Sequence, residues 1–401
     1  MSVPTTSHYD AIIVGARAAG SATAMGLARQ GQRVLVIDRD RYGADTLSTH
    51  ALQRVAVMLL EDWGLLDQLR AADTPPVRDV TFHYAGRDPL RIDLPEPLYA
   101  PRRTVLDPVL ADAAVAAGAE LRWRTRLDSL VRDDSGRVRG IRAVGPDGTV
   151  FEAHAPITIG ADGRNSRVAA AVQAPVTRQG RTAGAYLYAT IAGLRPNGYE
   201  WLFGPGNSAG LVPTNDDSTT VFVGGAATDF RAMARDRAGT FASILTSLAP
   251  EVAARVLAGR RVGPVRGFPG QPALLRRPHG PGWALVGDAG SFKDPISSHG
   301  ITDAFKDAAL LTAALGTADG TAPSLAAACA DYESTRDRFT LPLLDAVEPI
   351  TTYAIGTEQL AEQHMALSAC LKTETTAFRA LLNSTPAPAP HEPRDQYLLA
   401  A

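Results

Sequence analysis

The sequence predicts an α/β fold: a Rossmann-like domain interrupted by an inserted antiparallel β-sheet and followed by C-terminal helices. Three observations predict it. A strand, a glycine turn, a helix and a second strand fill residues 9–38. Alternating strand patterns replace that texture from about Pro175, and the α/β texture returns near Gly282. After Thr321 the pattern is helical to about Leu382. Domain boundaries in sequence are therefore not boundaries in space.

Residues 9–14 (YDAIIV) read as a buried parallel strand, and Gly15 begins a tight turn. Residues 21–30 form a small-residue helix that stops at Gly31, a C′ glycine. Residues 33–38 (RVLVID) are the second strand, closing a βαβ unit of about thirty residues. A helical pattern covers 51–69. The proline-rich stretch 75–101 alternates apolar residues, as edge strands or a crossover would. Asp107-Pro108 marks a helix start, with Asp at the N-cap and Pro at N1, and the helix ends near Gly118. Residues 120–124 are a strand. Residues 127–131, 137–144 and 149–153 form a meander, and 157–160 is a further buried strand. Alternation at 184–191, 199–203, 209–212 and 219–223 builds the antiparallel sheet, with a helix at 240–248. The glycine-rich run from Gly204 to Gly210 leads into LVPTND rather than a helix. It is a hairpin loop, not a second nucleotide site.

At 401 residues the chain can bury one large core or two moderate ones. Its net charge of -2 argues against a nucleic-acid partner or an anionic membrane surface. Cys329 and Cys370 are too few for a disulfide framework or a metal cluster, and read as packing residues. No histidine sits in a metal pattern. No apolar run reaches membrane-spanning length, and MSVPTTSHYD has no signal-peptide core. A cytoplasmic enzyme without integral membrane association is expected.

Three strand-end motifs carry the chemistry. The first is Gly15-Ala16-Arg17-Ala18-Ala19-Gly20, in the place where a dinucleotide fingerprint has three glycines. Arg17 stands where the middle glycine lets backbone approach a pyrophosphate, and its own side chain has the reach for a phosphate. Asp38 ends the second strand, eighteen residues beyond Gly20, placed to accept hydrogen bonds from a ribose. The second motif, Gly160-Ala161-Asp162-Gly163-Arg164, puts an acid and a glycine after a buried strand. The third lies in 283–307, WALVGDAGSFKDPISSHGITDAFKD. A strand stops at Gly287-Asp288, a loop with Pro295 follows, and Gly300 opens a helix. The acid can hold a polyol hydroxyl, and the helix N-terminus offers free N–H groups to an anion or polarised carbonyl. A reduced flavin presents both partners. An ordinary αβ connection with a capping acid explains this third segment equally well when it is taken alone.

In this order the three motifs resemble the FAD-dependent oxidoreductases of the para-hydroxybenzoate hydroxylase type. These include single-component flavoprotein monooxygenases, and geranylgeranyl reductases and flavin-dependent halogenases share the fold. The resemblance covers about residues 9–340. It implies an FAD-binding domain from 1–75, 101–175 and 271–340, a substrate domain from 76–100 and 176–270, C-terminal helices over 341–383 and a disordered tail over 384–401. It implies non-covalent FAD with NAD(P)H as reductant. Gly15, Ala16, Arg17, Ala19, Gly20, Asp38 and Arg39 would serve the ADP part. Arg103 would contact the nucleotide, with Arg102 a close competitor. Asp162 and Gly163 would serve FAD and NAD(P)H. Gly287 and Asp288 would hold the ribityl chain, and Pro295, Gly300 and Ile301 would line the isoalloxazine. Where relatives carry small residues before the last glycine, this chain has His299.

His299 is thus a catalytic candidate beside the ring. His50, in Thr46-Leu47-Ser48-Thr49-His50, is a second, although a helix-capping Ser/Thr pair with a partly buried histidine explains that segment too. Tyr186, Tyr188, Tyr199, Trp201, Phe203 and Phe222 lie on the expected sheet, where at most half of an alternating strand can face a pocket. The resemblance implies a monooxygenase of secondary metabolism that uses NAD(P)H and O2 to hydroxylate or epoxidise a small aromatic or polyketide-like molecule through a C4a-hydroperoxyflavin. The alternatives are a reductase or dehydrogenase on an unsaturated or lipid-like substrate, and a non-catalytic flavin-binding protein. A halogenase would carry a catalytic lysine and a Trp-x-Trp-x-Ile-Pro motif. That motif is absent, and the lysines are Lys293, Lys306 and Lys372.

Overall fold

A computed structural model describes residues 6–384. The tail expected beyond Ser384 lies outside the described residues. The central sheet runs His279–Gly280, Trp283–Leu285, Ile157–Gly160, Ala11–Val14, Val34–Ile37 and Glu120–Arg122. All neighbours pair parallel except the first two. Its four central strands are buried throughout, as their unbroken apolar runs require. Helices Ala18–Arg29, Arg103–Ala116 and Gly300–Leu315 cover one face. The meander Arg126–Arg132, Val138–Val144 and Val150–His154 covers the other. Val14, Gly160 and Leu285 are register partners, so the three motif loops leave neighbouring strands along one edge.

The second sheet has seven strands, in the order Arg260–Phe268, Gly184–Ala192, Ser218–Ala226, Asn207–Thr214, Tyr199–Gly204, Val77–Tyr84 and Leu90–Leu98. It is mixed rather than wholly antiparallel, because Tyr199–Gly204 pairs parallel to Val77–Tyr84. Parallel neighbours need a long crossover, and here the intervening nucleotide-binding segments supply it. The Gly204–Gly210 run is a hairpin, as expected. One face of this sheet, with Ala185, Leu187, Leu202, Leu211 and Val223, packs with side chains from helices Arg237–Leu248 and Pro250–Ala258. Tyr188, Phe222, Gly210 and Trp201 form one cross-strand row on the opposite face. A Cβ at Gly210 would lie 2.4 Å from the Phe222 ring and 2.6 Å from Trp201, so the glycine makes room for both aromatics.

Two helix expectations are corrected. The helix expected to start at Asp107-Pro108 begins at Arg103, with Pro108 inside it. Asp107 accepts bonds from Arg103 and Arg17 instead of capping. The pattern over 51–69 is two helices, Arg54–Asp62 and Leu66–Ala71, separated at Gly64 with φ of 71°. Helix Ala322–Val347 runs through position 340 without a break, and Thr357–Ser384 follows. Among the described residues no helix is long and apolar enough to cross a membrane.

Candidate functional site

The crevice along the strand ends begins at the fingerprint. Gly15 has φ of 105°, and a Cβ there would lie 2.4 Å from the carbonyl oxygen of Ala161. At Gly20 a Cβ would lie 1.7 Å from the Gly15 oxygen. Both positions therefore exclude any side chain. A Cβ at Gly287 would sit 3.0 Å from the Ala19 methyl, so the first and third motifs touch. Asp38 accepts from the Ala16 N–H at 2.7 Å and the Asp40 N–H at 2.8 Å. Burial raises its carboxyl, and those two bonds work against the rise.

Arg17 does not point along the fingerprint turn. Its guanidinium donates to Asp107 and the Ala44 carbonyl at 3.1 Å and to Asp40 at 3.2 Å. It borders a narrow, partly open cleft with Ala16, Asp38, Gly43 and Trp123. Arg41 lines this cleft and Arg39 does not; both side chains are exposed. Arg103 turns inward and grips Asp107 at 2.7–3.0 Å. Its competitor Arg102 turns outward to Asp216 at 3.1 Å.

The second motif is partly self-contained. Asp162 accepts from Ser166 Oγ at 2.5 Å and the Arg167 N–H at 2.6 Å, capping the short helix Arg167–Ala171. Gly163 has φ of 78°. His50 is buried in a left-handed backbone conformation, φ of 66°, with no hydrogen-bond partner for Nδ1 among the described residues. Burial, then Arg103, Arg102 and Arg266, push its pKa down to about 3. It is a neutral imidazole with a spare polar edge. Strained backbone and an orphaned ring nitrogen together mark it more strongly than a capping role would.

At the far end, Asp288 lies beside the start of helix Gly300–Leu315; a Cβ at Gly300 would be 4.0 Å from its Oδ1. Burial and the like charge of Asp303 raise the Asp288 carboxyl to about 6, against Arg103, Arg164 and Lys293. Pro295 opens a single 3-10 turn, Pro295–Ser297, capped by Asp294. Asp294 also accepts from the Gly184 N–H at 2.8 Å and from the Tyr186 hydroxyl. Tyr353 donates to Tyr186 at 3.3 Å and meets Ser208 at 2.9 Å. This polar chain borders a narrow, partly open cleft lined by Phe203, Ser208, Ile296, Ile350, Tyr353 and Leu360. The aromatic face of the large sheet forms one wall, and the loop before Gly300 forms another. All six aromatics singled out from the sequence belong to that face or its packing.

Ile301 and His299 are both buried. His299 has both ring nitrogens committed to carboxylates, Nε2 to Glu374 at 2.9 Å and Nδ1 to Asp303 at 3.1 Å. It is therefore no free acid or base at the crevice. His299, Asp303 and Glu374 have the spacing of a metal set, but Lys293 and Lys306 already neutralise both carboxylates. Those ammonium groups are the physical reason to expect no ion there. Sequence reading missed Asp107, Asp294, Tyr353 and the Lys293–Asp303–Lys306–Glu374 network. A charged pair at i,i+3 in an otherwise apolar helix was the available signal for Asp303 and Lys306.

A family model described as FAD binding domain matches residues 8–345. The digeranylgeranylglycerophospholipid reductase of Methanocella arvoryzae is 27% identical over 311 residues, which are 74% of this chain and 75% of that protein. Digeranylgeranylglycerophospholipid reductase 2 of Methanopyrus kandleri is 31% identical over 183 residues, 44% of this chain and only 40% of that protein's length. The structure of Pseudomonas aeruginosa PqsL in complex with 2-aminobenzoylacetate superposes with a TM-score of 0.77 at 22% identity, covering 89% of this chain and 99% of that one.

Proposed function

This chain belongs to the FAD binding domain family and is an FAD-dependent oxidoreductase, and we propose that it is a monooxygenase that hydroxylates or epoxidises a small apolar, aromatic or polyketide-like molecule with NAD(P)H and O2. The observation that carries this reading is the aromatic face of the large sheet, which meets the loop before Gly300 at a narrow cleft with a hydroxyl chain at its wall. The residues fit FAD. Gly15, Gly20 and Gly287 form a side-chain-free cradle, and the orphaned His50 Nδ1 waits for a polar partner.

In this reading Asp38 holds the adenosine ribose and Arg103 the pyrophosphate. Arg17 exchanges Asp40 for a phosphate while Asp107 keeps its guanidinium in place, and Asp162-Gly163 serves the nucleotides through backbone. Asp288 holds the ribityl chain, and the Pro295 and Gly300–Ile301 backbone faces the ring. Bound flavin supplies the electron transfer and oxygen activation. The chain's own work is to orient, exclude water and place protons. His50, neutral at physiological pH, offers one hydrogen bond without adding charge. Tyr353 presents a hydroxyl to the cleft, and the Tyr186–Asp294 pair behind it can accept or return a proton. Both tyrosine hydroxyls are held protonated by burial. The reading places the enzyme in the cytoplasm and in secondary metabolism, with a small molecule as its partner.

The test is a screen of apolar aromatic compounds for accelerated NAD(P)H oxidation, followed by product mass analysis under labelled O2. Label in the product supports the proposal. A substrate reduced under nitrogen supports the second reading, a reductase on an unsaturated lipid-like molecule, which the two reductase relatives favour. A purified protein that takes up no FAD overturns both.

A further inference from the structure

Five titratable side chains meet beneath the loop that ends at Gly300, and none is more than 5% exposed: Lys293, His299, Asp303, Lys306 and Glu374. Lys293 Nζ lies 2.7 Å from Asp303 Oδ2. Lys306 Nζ lies 3.0 Å from Asp303 Oδ1 and also bonds Glu374. His299 Nε2 is 2.9 Å from Glu374 Oε2, a hydrogen bond. Its Nδ1 is 3.1 Å from Asp303 Oδ1, an ion pair with imperfect hydrogen-bond alignment.

Both ring nitrogens therefore face carboxylate oxygens. A neutral imidazole has one N–H and one lone pair, and a lone pair turned to a carboxylate is repelled. Only the imidazolium suits both contacts. Three cations then face two carboxylates, so this cluster counted by itself carries one net positive charge. That charge sits where helix Gly300–Leu315 begins, and the helix N-terminus adds partial positive charge of its own. The loop above it is strained: Ser298 has φ of 48°, and its buried Oγ has no partner. Something must hold that shape, and His299 is the next residue. Glu374 lies on helix Thr357–Ser384, beyond the matched family region that ends at 345.

We propose that Glu374 is a positioning residue that, from the C-terminal helix, holds His299 as a cation under the loop and so fixes both the loop's shape and the positive charge offered to the pyrimidine edge of a bound flavin. The flavin part rests on the FAD reading above. The balance of forces agrees. Burial pushes His299 down, but Glu374 and Asp303 outweigh it and the ring is raised. Burial likewise pushes Glu374 up, yet His299 and Lys306 hold it at about 2. The other charged groups around this centre are Lys293 before the loop, Asp303 and Lys306 on the helix, and Asp288 and Asp307, both raised to about 6. These last two titrate in wild type and variant alike, so only the difference between the proteins reports His299.

The experiment compares full-length wild type with Glu374→Gln, which keeps the shape and removes the charge. In flavin-free protein the His299 ring is followed by 15N NMR over about pH 6–9, its signal assigned by its loss in His299→Gln. In FAD-reconstituted protein the midpoint potential is followed over the same range. The expected result is a wild-type ring that titrates above the ordinary imidazole value and a variant ring that titrates below wild type. Above that new pKa the variant's potential breaks away to lower values. A variant ring that titrates together with the wild-type ring, with a potential curve parallel to wild type, overturns the proposal. Should Glu374→Gln fail to fold, Glu374→Gln with Lys306→Met removes carboxylate and ammonium together and meets the same criteria. A wild type that takes up no FAD would sink the FAD reading, while the NMR arm would still decide whether Glu374 holds His299.

Discussion

The two ends of the crevice hold ion pairs of comparable length in opposite surroundings. At the fingerprint end Arg17 meets Asp40 at 3.2 Å, with 27% and 42% of the side chains exposed. At the ring end Lys293 meets Asp303 at 2.7 Å, with 1% and 4% exposed. Water screens the first pair, so it holds Arg17 loosely and can give way to a phosphate. The second has no water to replace a lost partner, so it acts as a lock. The first end is built to exchange partners and the second to keep them.

Breaking the lock should have the largest effect. Asp303→Ala leaves Lys293, Lys306 and His299 short of a counter-charge, and a loss of about 3–5 kcal/mol is expected in urea unfolding. A loss below about 1 kcal/mol would show that water reaches the network and that the contrast is false. Gly20→Ala should come next. Its methyl must displace the Gly15 carbonyl, costing about 1–3 kcal/mol and abolishing FAD retention on gel filtration. A yellow Gly20→Ala protein would remove the cradle from the argument.

Asp288→Asn should act with the opposite sign. The folded carboxyl is raised to about 6, above its unfolded value, so its contribution to stability is fully present below the unfolded value and is lost as pH rises through about 6. At pH 7 the variant should be more stable than wild type by about 1–2 kcal/mol in the flavin-free form, with the gain vanishing near pH 4 and FAD bound more weakly. Equal stability at both pH values would mean that the charge is well solvated. The smallest effect is expected at the fingerprint end, where Asp40→Ala should cost less than about 1 kcal/mol and less still in high salt. A cost as large as that of Asp303→Ala would erase the distinction between the two ends.

The same contrast explains what could be read in advance. The fingerprint end is local: Gly15, Gly20 and Asp38 fall within one βαβ unit, and the two tightly packed glycines were legible from spacing. Spacing pointed to Arg39 there, whereas the fold sets Arg41 beside Asp38 and Arg17. Asp107-Pro108 misled because a local capping preference of about 1 kcal/mol lost to two guanidinium partners. His50 was marked by sequence only as a histidine after a Ser/Thr pair. Its φ of 66° and orphaned nitrogen exist only in the fold.

The sequence by itself determined the α/β class, the interrupted domain order and the three strand-end motifs, because strand and helix periodicities and glycine turns are short-range properties. Tertiary structure alone decided that the large sheet is mixed, that its aromatics share one face, and that His299 is locked between Asp303 and Glu374. Pairing across 75 residues has no local signature. It follows from which helix the folded core leaves free to pack beneath the loop.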